Sequence, residues 1–319
     1  MVKRKTKTVA TWVTALTAAA LTLPLMSAAG TASASTTRIA NQSSLPRNET
    51  IYTSGTAYSP PTNFNPNDPG ALYTGTAGLL YEPLFLYDPI HNKYIPWLAT
   101  SGTWNGNTYT MQIRNGVDWV SSPNQTVAGT LTGADVVFSI NLARTQPTDP
   151  WNSNVSSVKS VTASGNTVTV TFTSHPAYTE WQDYLWNAPV LPAAQWGAMS
   201  ETDQITGANM TPVATGPMTL MSTSSTQACF ETNPHWWGSQ VGLSFKFKYL
   251  CDIVNGSNNV ELAALTTDTI DWSNNFLPGI STLVAGLNGN GAYGITTYYS
   301  KAPFMLSANT AWLEMDTTK

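Results

Sequence analysis

Charge is scarce in this chain. Asp, Glu, Lys and Arg together make up 10% of its 319 residues, against roughly 25% in an ordinary soluble domain. Cysteine is almost missing, with Cys229 and Cys251 alone, and histidine is limited to His91, His175 and His235. None of the three histidines has a second ligand at zinc spacing, so no metal centre is expected. There is no G-x-S-x-G elbow, no phosphate-cradling glycine loop and no H-E-x-x-H. The hydrolase, nucleotide-binding and metalloprotease chemistries that need those motifs are excluded. No basic run follows the first residues, which argues against nucleic acid or anionic lipid as a partner. Past Met26 no long apolar segment occurs, so the mature chain should be soluble.

What is present begins with an export signal. Lys3, Arg4, Lys5 and Lys7 precede an apolar run from about Val9 to Met26, and Ala32-Ser33-Ala34 supplies the small residues of a cleavage site. Residues 1–34 therefore read as a signal peptide and 35–49 as a flexible leader. No cysteine lies near the cleavage site, so a lipid-modified N-terminus is not expected. Losing 1–34 removes four basic and no acidic side chains, leaving ten Lys+Arg against 18 Asp+Glu. Ser, Thr, Asn, Gly and aromatics, among them 12 Trp and 13 Tyr, replace the missing charge. One reading is a surface adapted to acid or salt. The other is a cleft that holds a polar, largely uncharged ligand by stacking and amide hydrogen bonds. In an exported chain Cys229 and Cys251 are expected to pair. They lie in two candidate strands, and a pairing centred near Gln240 sets them opposite each other.

Periodicity gives helices and strands intermingled without a strict βαβ rhythm. "TIYTSGTAYS" (50–59) is a strand candidate running into the loop "PPTNFNPNDPG", and "TAGLLYEPLFLYDP" (76–89) a short helix passing into a buried strand. In "TYTMQIRNGVDW", Tyr109, Met111 and Ile113 alternate with polar neighbours, as a strand requires. Thr132 and Asp135 cap a helix whose Val136, Ile140 and Ala143 share one face. "NTVTVTFTS", "QACFETN" and "SFKFKYLCDI" read as strands, and "NNVELAALTTDTIDW" as a helix from Asn259 to about Leu265 followed by a strand. The class is α/β, with mixed sheets in discontinuous domains.

The stretch "TTDTIDWSNNF" (266–276) poses the functional question. Asp268 and Asp271 could nominate themselves as the two carboxylates of a secreted carbohydrate-active hydrolase, which needs no other motif. Three residues apart at a helix end, they should point in different directions, and surface or capping roles fit them better.

The order of segments decides between these readings. "GLLYEPLFLYDP…YIPWLATSGTWNGNTYTMQIRNGVDW…LTGADVVFSINLAR", then "TPVATGPM", "NPHWWG" and "LTTDTIDW", resembles the family-5 solute-binding proteins of bacterial ABC importers. These include oligopeptide, dipeptide, nickel and oligosaccharide binders. The resemblance implies a type II periplasmic-binding-protein fold, no catalysis and no cofactor. It implies an exported receptor, periplasmic or at the cell surface, that delivers a small oligomer to ABC permease subunits in the membrane. Oligopeptide is the default ligand and oligosaccharide the alternative. The first lobe would comprise 50–75 and 176–319, with 76–175 a small inserted subdomain. Relatives continue past the point matching Lys319, so the second lobe is expected to be missing. By the same resemblance Asn274, Asn275 and Phe276 line the ligand cleft, with Asp271 behind them. Tyr58, Trp151 and Phe304 are further candidates, for which packing in a core is the alternative.

Overall fold

In the computed structural model, residues 45–54, 59–68, 75–88, 91–273, 277 and 295 can be described. The strands are β1 (Thr50–Ser54), β2 (Phe85–Asp88), β3 (Lys93–Pro96), β4 (Ala99–Asn105), β5 (Thr108–Ile113), β6 (Asp118–Ser121), β7 (Thr126–Thr130), β8 (Val158–Ser164), β9 (Thr167–Phe172), β10 (Val213–Ala214), β11 (Met218–Ser224), β12 (Gln227–Thr232), β13 (Tyr249–Ile253) and β14 (Trp272–Ser273). The helices are α1 (Gly133–Thr145), α2 (Tyr178–Asn187), α3 (Ala193–Trp196), α4 (Glu201–Thr206) and α5 (Asn258–Thr266).

Alternation and capping produce the first layer. Tyr109, Met111 and Ile113 of β5 are buried, as are Val168, Val170 and Phe172 of β9. The threonines between them face outward, so strand pairing buries one face only. The resulting antiparallel sheet runs β4-β5-β9-β8. Helix α1 covers it with Val136, Ile140 and Ala143, all buried. A capping box starts α1, in which Thr132 N donates to Asp135 Oδ2 at 2.8 Å. Trp181, Tyr184 and Leu185 of α2 join the same apolar cluster.

The second layer is a five-stranded sheet of order β11-β12-β13-β1-β14. β1 pairs in parallel with β13 on one side and with β14 on the other. β11 and β12 continue it as an antiparallel hairpin. The chain passes from β13 through α5 to β14, crossing over β1. Cys229 and Cys251 are register partners on β12 and β13 and form a disulfide. They sit in a small cluster with Tyr52, Ile253, Ala264 and Ile270.

A third apolar cluster, centred on Phe64, Tyr81, Trp196 and Phe230, lies beside the segment 79–84. Tyr81 belongs to this cluster and Leu84 to that of the four-stranded sheet. Between them Glu82 is buried, with 1% of its surface exposed. Its carboxyl accepts from three indoles: Trp97 at 2.8 Å, Trp236 at 3.1 Å and Trp237 at 3.0 Å. The Arg114 guanidinium stacks 4.1 Å from the Trp237 ring and donates to Trp97 O at 2.7 Å. Gly216 meets this segment so closely that a Cβ there would lie 2.2 Å from Leu79 O. Only glycine allows the backbone approach that lets Gly216 N donate to Leu80 O at 2.8 Å.

Two sequence-based boundaries shift. The expected helix at 76–80 is an irregular turn, because Ala77 and Gly78 leave helical φ/ψ. The strand expected over "SFKFKYLCDI" forms only at Tyr249–Ile253, while Leu243 and Phe245 ahead of it are exposed. The loop "NFNPND" is irregular as expected, yet Asn63, Asn65 and Asn67 are buried in it. Asn65 Nδ2 donates to Gly207 O at 2.9 Å, and its Oδ1 accepts from Asn67 N at 2.8 Å. The amides thus satisfy the carbonyls at the end of α4. Among the described residues no helix is long and apolar enough to cross a membrane.

Candidate functional site

In an open sheet with parallel strands, ligands meet the crevice beyond the strands' carboxyl ends, where crossovers leave in opposite directions. The parallel strands β13, β1 and β14 share such a carboxyl edge, which makes it the candidate site. The register pairs Thr53 with Trp272 and Ser54 with Ser273, so β1 and β14 end at one level. The sequence continues from β1 into "GTAY" and from β14 into "NNF".

The edge itself is polar and buried. Ser54 is fully enclosed and Asn255 nearly so. Asn255 Nδ2 donates to Ser54 Oγ at 2.8 Å. Glu261, in the first turn of α5, is also fully enclosed, and its carboxyl accepts from Ser273 Oγ. At the other end of β14, Asp271 N donates to Tyr52 O and Asp271 Oδ2 accepts from Tyr52 N, both at 2.7 Å. Arg47 donates to the remaining Asp271 oxygen and lies 5.3 Å above the Tyr52 ring. Buried polar groups must be satisfied by partners of this kind, because unmade bonds cost about 1–3 kcal/mol each.

The two aspartates of "TTDTIDW" divide as backbone ties and surface charge. Asp271 is a backbone anchor of β14. The Asp268 side chain is 91% exposed, 4.0 Å from the same Arg47. They share one guanidinium rather than facing apart, and they lie before β14 begins.

Trp151 is half-buried in the turn after α1. Its amide donates to Asp149 Oδ1 at 2.8 Å, and its ring meets Tyr184 edge-on with centroids 6.5 Å apart. It packs against the core of the four-stranded sheet, and its indole N–H is buried without a hydrogen-bond partner among the described residues. Burial pushes the Asp149 carboxyl up to about 6. Tyr58, Asn274, Asn275, Phe276 and Phe304 lie outside the described residues. Sequence reasoning missed Ser54, Asn255, Glu261 and Ser273. The one available signal was a glutamate in the helix "NNVELAAL", four residues after an N-capping serine.

Mixed sheets with a five-stranded layer built around three parallel strands define the type II periplasmic-binding-protein architecture. The profile "Bacterial extracellular solute-binding proteins, family 5 Middle" matches residues 93–316, and the chain belongs to this family. Its members bind solutes and are not enzymes. A crystal structure of an oligopeptide ABC transporter's periplasmic oligopeptide-binding protein from Thermotoga maritima, bound to mannohexaose, is 36% identical. The match has a TM-score of 0.75 and covers 83% of this chain and 48% of that one. A dipeptide-binding protein from Pseudoalteromonas sp. SM9913 in complex with Met-Leu is 18% identical, with a TM-score of 0.61, covering 73% of this chain and 49% of that one. The oligopeptide-binding protein AppA of Bacillus subtilis, in complex with a nonapeptide, is 19% identical with a TM-score of 0.60, covering 76% and 46%. The chain thus spans about half the length of these structures. Among curated proteins none matches.

Proposed function

We propose that the chain is the first-lobe part of an exported receptor that captures small oligomers for uptake by an ABC importer. Family membership supports solute binding. The observation that bears on where the solute lies is the common carboxyl edge of β1 and β14, register-matched at Ser54 and Ser273. Asn274, Asn275 and Phe276 come next in the sequence, and we assign them to the ligand wall, with Tyr58 after β1, Trp151 from the inserted layer, and Phe304. Amide side chains both donate and accept, which suits peptide backbones and sugar hydroxyls alike. Closure of a second lobe about a hinge would complete the site and present the closed form to the permease. Residues 1–34 serve as the export signal in this reading, without lipid attachment.

Oligopeptide is the primary ligand class proposed. Oligosaccharide is the second, favoured by the mannohexaose bound in the 36%-identical relative and by the low charge and 12 tryptophans of this chain. Calorimetric titration with tetra-alanine and with mannohexaose tests both, using this chain and a full-length homologue carrying the same wall residues. Asn274→Ala or Asn275→Ala should weaken the bound class by roughly 1–3 kcal/mol, since a desolvated ligand group loses its partner. Asp268→Ala should change little. A larger loss at Asp268 than at either asparagine would reverse the assignment of the wall.

A further inference from the structure

β14 has two residues and pairs only with β1 among the described strands. Two register pairs are a weak hold for the segment from which the proposed ligand wall departs. Its start is tied twice to the Tyr52 backbone through Asp271. Its end is tied by a different device, in which Ser273 Oγ donates to the Glu261 carboxyl on α5. The neighbouring strand end has the same construction, with Asn255 donating to Ser54 Oγ at 2.8 Å. Ser54 and Ser273 are register partners, and Asn255 and Glu261 both belong to the crossover that leads from β13 to β14. One short segment, 255–261, therefore grips the ends of both strands. Glu261, Asn255 and Ser54 are each 2% exposed or less. Burying a carboxyl in the first turn of α5 has no packing advantage, since an aliphatic side chain would fill that space without a desolvation cost.

We propose that Glu261, assisted by Asn255, is a positioning residue for ligand binding. By holding Ser273 and Ser54 at one level, the pair fixes the point and direction in which both strands hand over to the wall segments. This rests on the reading of the carboxyl edge as the ligand site. The grip acts through hydrogen-bond acceptance, so Glu261→Gln should preserve it and Glu261→Ala should abolish it. Because the hydroxyl, not the carboxyl, is the strand's half of the grip, Ser273→Ala should reproduce the loss while leaving α5 intact.

The test is amide hydrogen exchange on the full chain, which needs no ligand, with titration of tetra-alanine and mannohexaose alongside. Glu261→Ala and Ser273→Ala should speed exchange at Trp272 and Ser273 at least tenfold, with β5 and β9 unchanged, and Glu261→Gln should stay within about twofold of the parent. Whichever probe the parent binds should bind about tenfold more weakly to the two alanine variants and nearly as before to Glu261→Gln. Unchanged exchange at β14 in Ser273→Ala would overturn the proposal. So would loss of protection spread equally over β5 and β9, which would mark general stabilisation. Local exchange as expected with undiminished affinity would also overturn it, since the grip would then not serve the ligand. A parent that binds neither probe contradicts the functional reading instead, and the exchange pattern still judges the grip.

Discussion

Two enclosed glutamates do different work in this molecule. Glu82 lies where two apolar clusters meet and gathers indole N–H groups from residues 15, 154 and 155 positions away along the chain. Glu261 lies at the sheet's carboxyl edge and takes a hydroxyl only 12 residues away. The first draws together the four-stranded layer and the turn after β12, so its loss should be felt by the whole fold. The second ties a helix to the next strand, so its loss should stay local. Distance in sequence between partners thus separates a group that organises the fold from one that tunes an edge.

The largest expected effect breaks the first of these. Glu82→Ala leaves three indole donors without an acceptor, two of them buried at a cost of about 1–3 kcal/mol each, and opens a cavity as well. Chemical denaturation at pH 7 should show a loss of about 3–5 kcal/mol, comparable to breaking a buried polar network. A loss below about 1 kcal/mol would mean the indoles find other partners and Glu82 is no hub. Acidity sharpens the same point. Burial raises the Glu82 carboxyl from its ordinary 4.5 to about 7, the three indole bonds drawing it partly back. A folded value above the unfolded one means that the native state holds the proton more tightly. The associated stability is full below about pH 4.5 and is lost as pH rises through about 7. At about 1.4 kcal/mol per unit, the decline is on the order of 3 kcal/mol. Asp149, raised to about 6 by its own burial, adds in the same direction. The denaturation profile of Glu82→Gln between pH 4.5 and 7.5 should lack the Glu82 part of this slope and keep the part due to Asp149. An identical slope in parent and variant would place the titration elsewhere.

These contrasts also show what was readable beforehand. Local rules spelled out α1, because Thr132, Asp135 and the Val136-Ile140-Ala143 stripe fall within one short window. Tyr109, Met111 and Ile113 did the same for β5. The facing of Cys229 and Cys251 followed from symmetry about Gln240. The order of short segments was enough to place the chain in its family. What stayed hidden depends on contacts that no window contains. The glutamate of "YEPL" carries no local sign of its function, since Trp236 and Trp237 reach it from more than 150 residues away. β8, "VKSVTAS", went unread because Val158 and Val161 are its only buried residues of any size. The buried Asn65 and Asn67 looked like ordinary loop chemistry because the carbonyls they satisfy lie at the end of α4, far along the chain.

The disulfide is the next test of the division between fold and edge. Cys229 and Cys251 join β12 to β13 at a sequence separation of 22, in the sheet that carries the carboxyl edge. Closing a loop of this size lowers the entropy of the unfolded chain by an amount worth about 3 kcal/mol. Replacing both cysteines by alanine should lower unfolding free energy by about that much, while exchange protection at Trp272 and Ser273 falls no more than elsewhere. Selective loss at β14 would show that the bond, not Glu261, fixes the edge. Thiol titration of the unfolded, unreduced chain gives a direct count, and two free thiols per chain would contradict the bond.

The smallest effects separate Asp271 from Asp268, the pair that a hydrolase reading would treat as equals. Both lie near Arg47, and Coulomb attraction to a half-exposed guanidinium is weak in water, so neither charge should matter much by itself. What differs is the backbone. Asp271 Oδ2 accepts from the amide of Tyr52, a residue 2% exposed, and that donor has no water to fall back on. Asp268 contributes a side chain in solvent at a position whose φ is +58°, a conformation that asparagine adopts readily. Asp271→Ala should therefore cost about 1–2 kcal/mol in denaturation, an unmade buried hydrogen bond reduced by partial exposure of the site. Asp271→Asn should cost less, because it retains an acceptor. Asp268→Asn should remain within about 0.5 kcal/mol of the parent. Adding 0.5 M salt should not change the ranking, since screening acts on the ion pair and leaves the amide bond in place. If salt instead erased the difference between the two positions, the anchoring of β14 would be electrostatic, and the backbone account of Asp271 would fail.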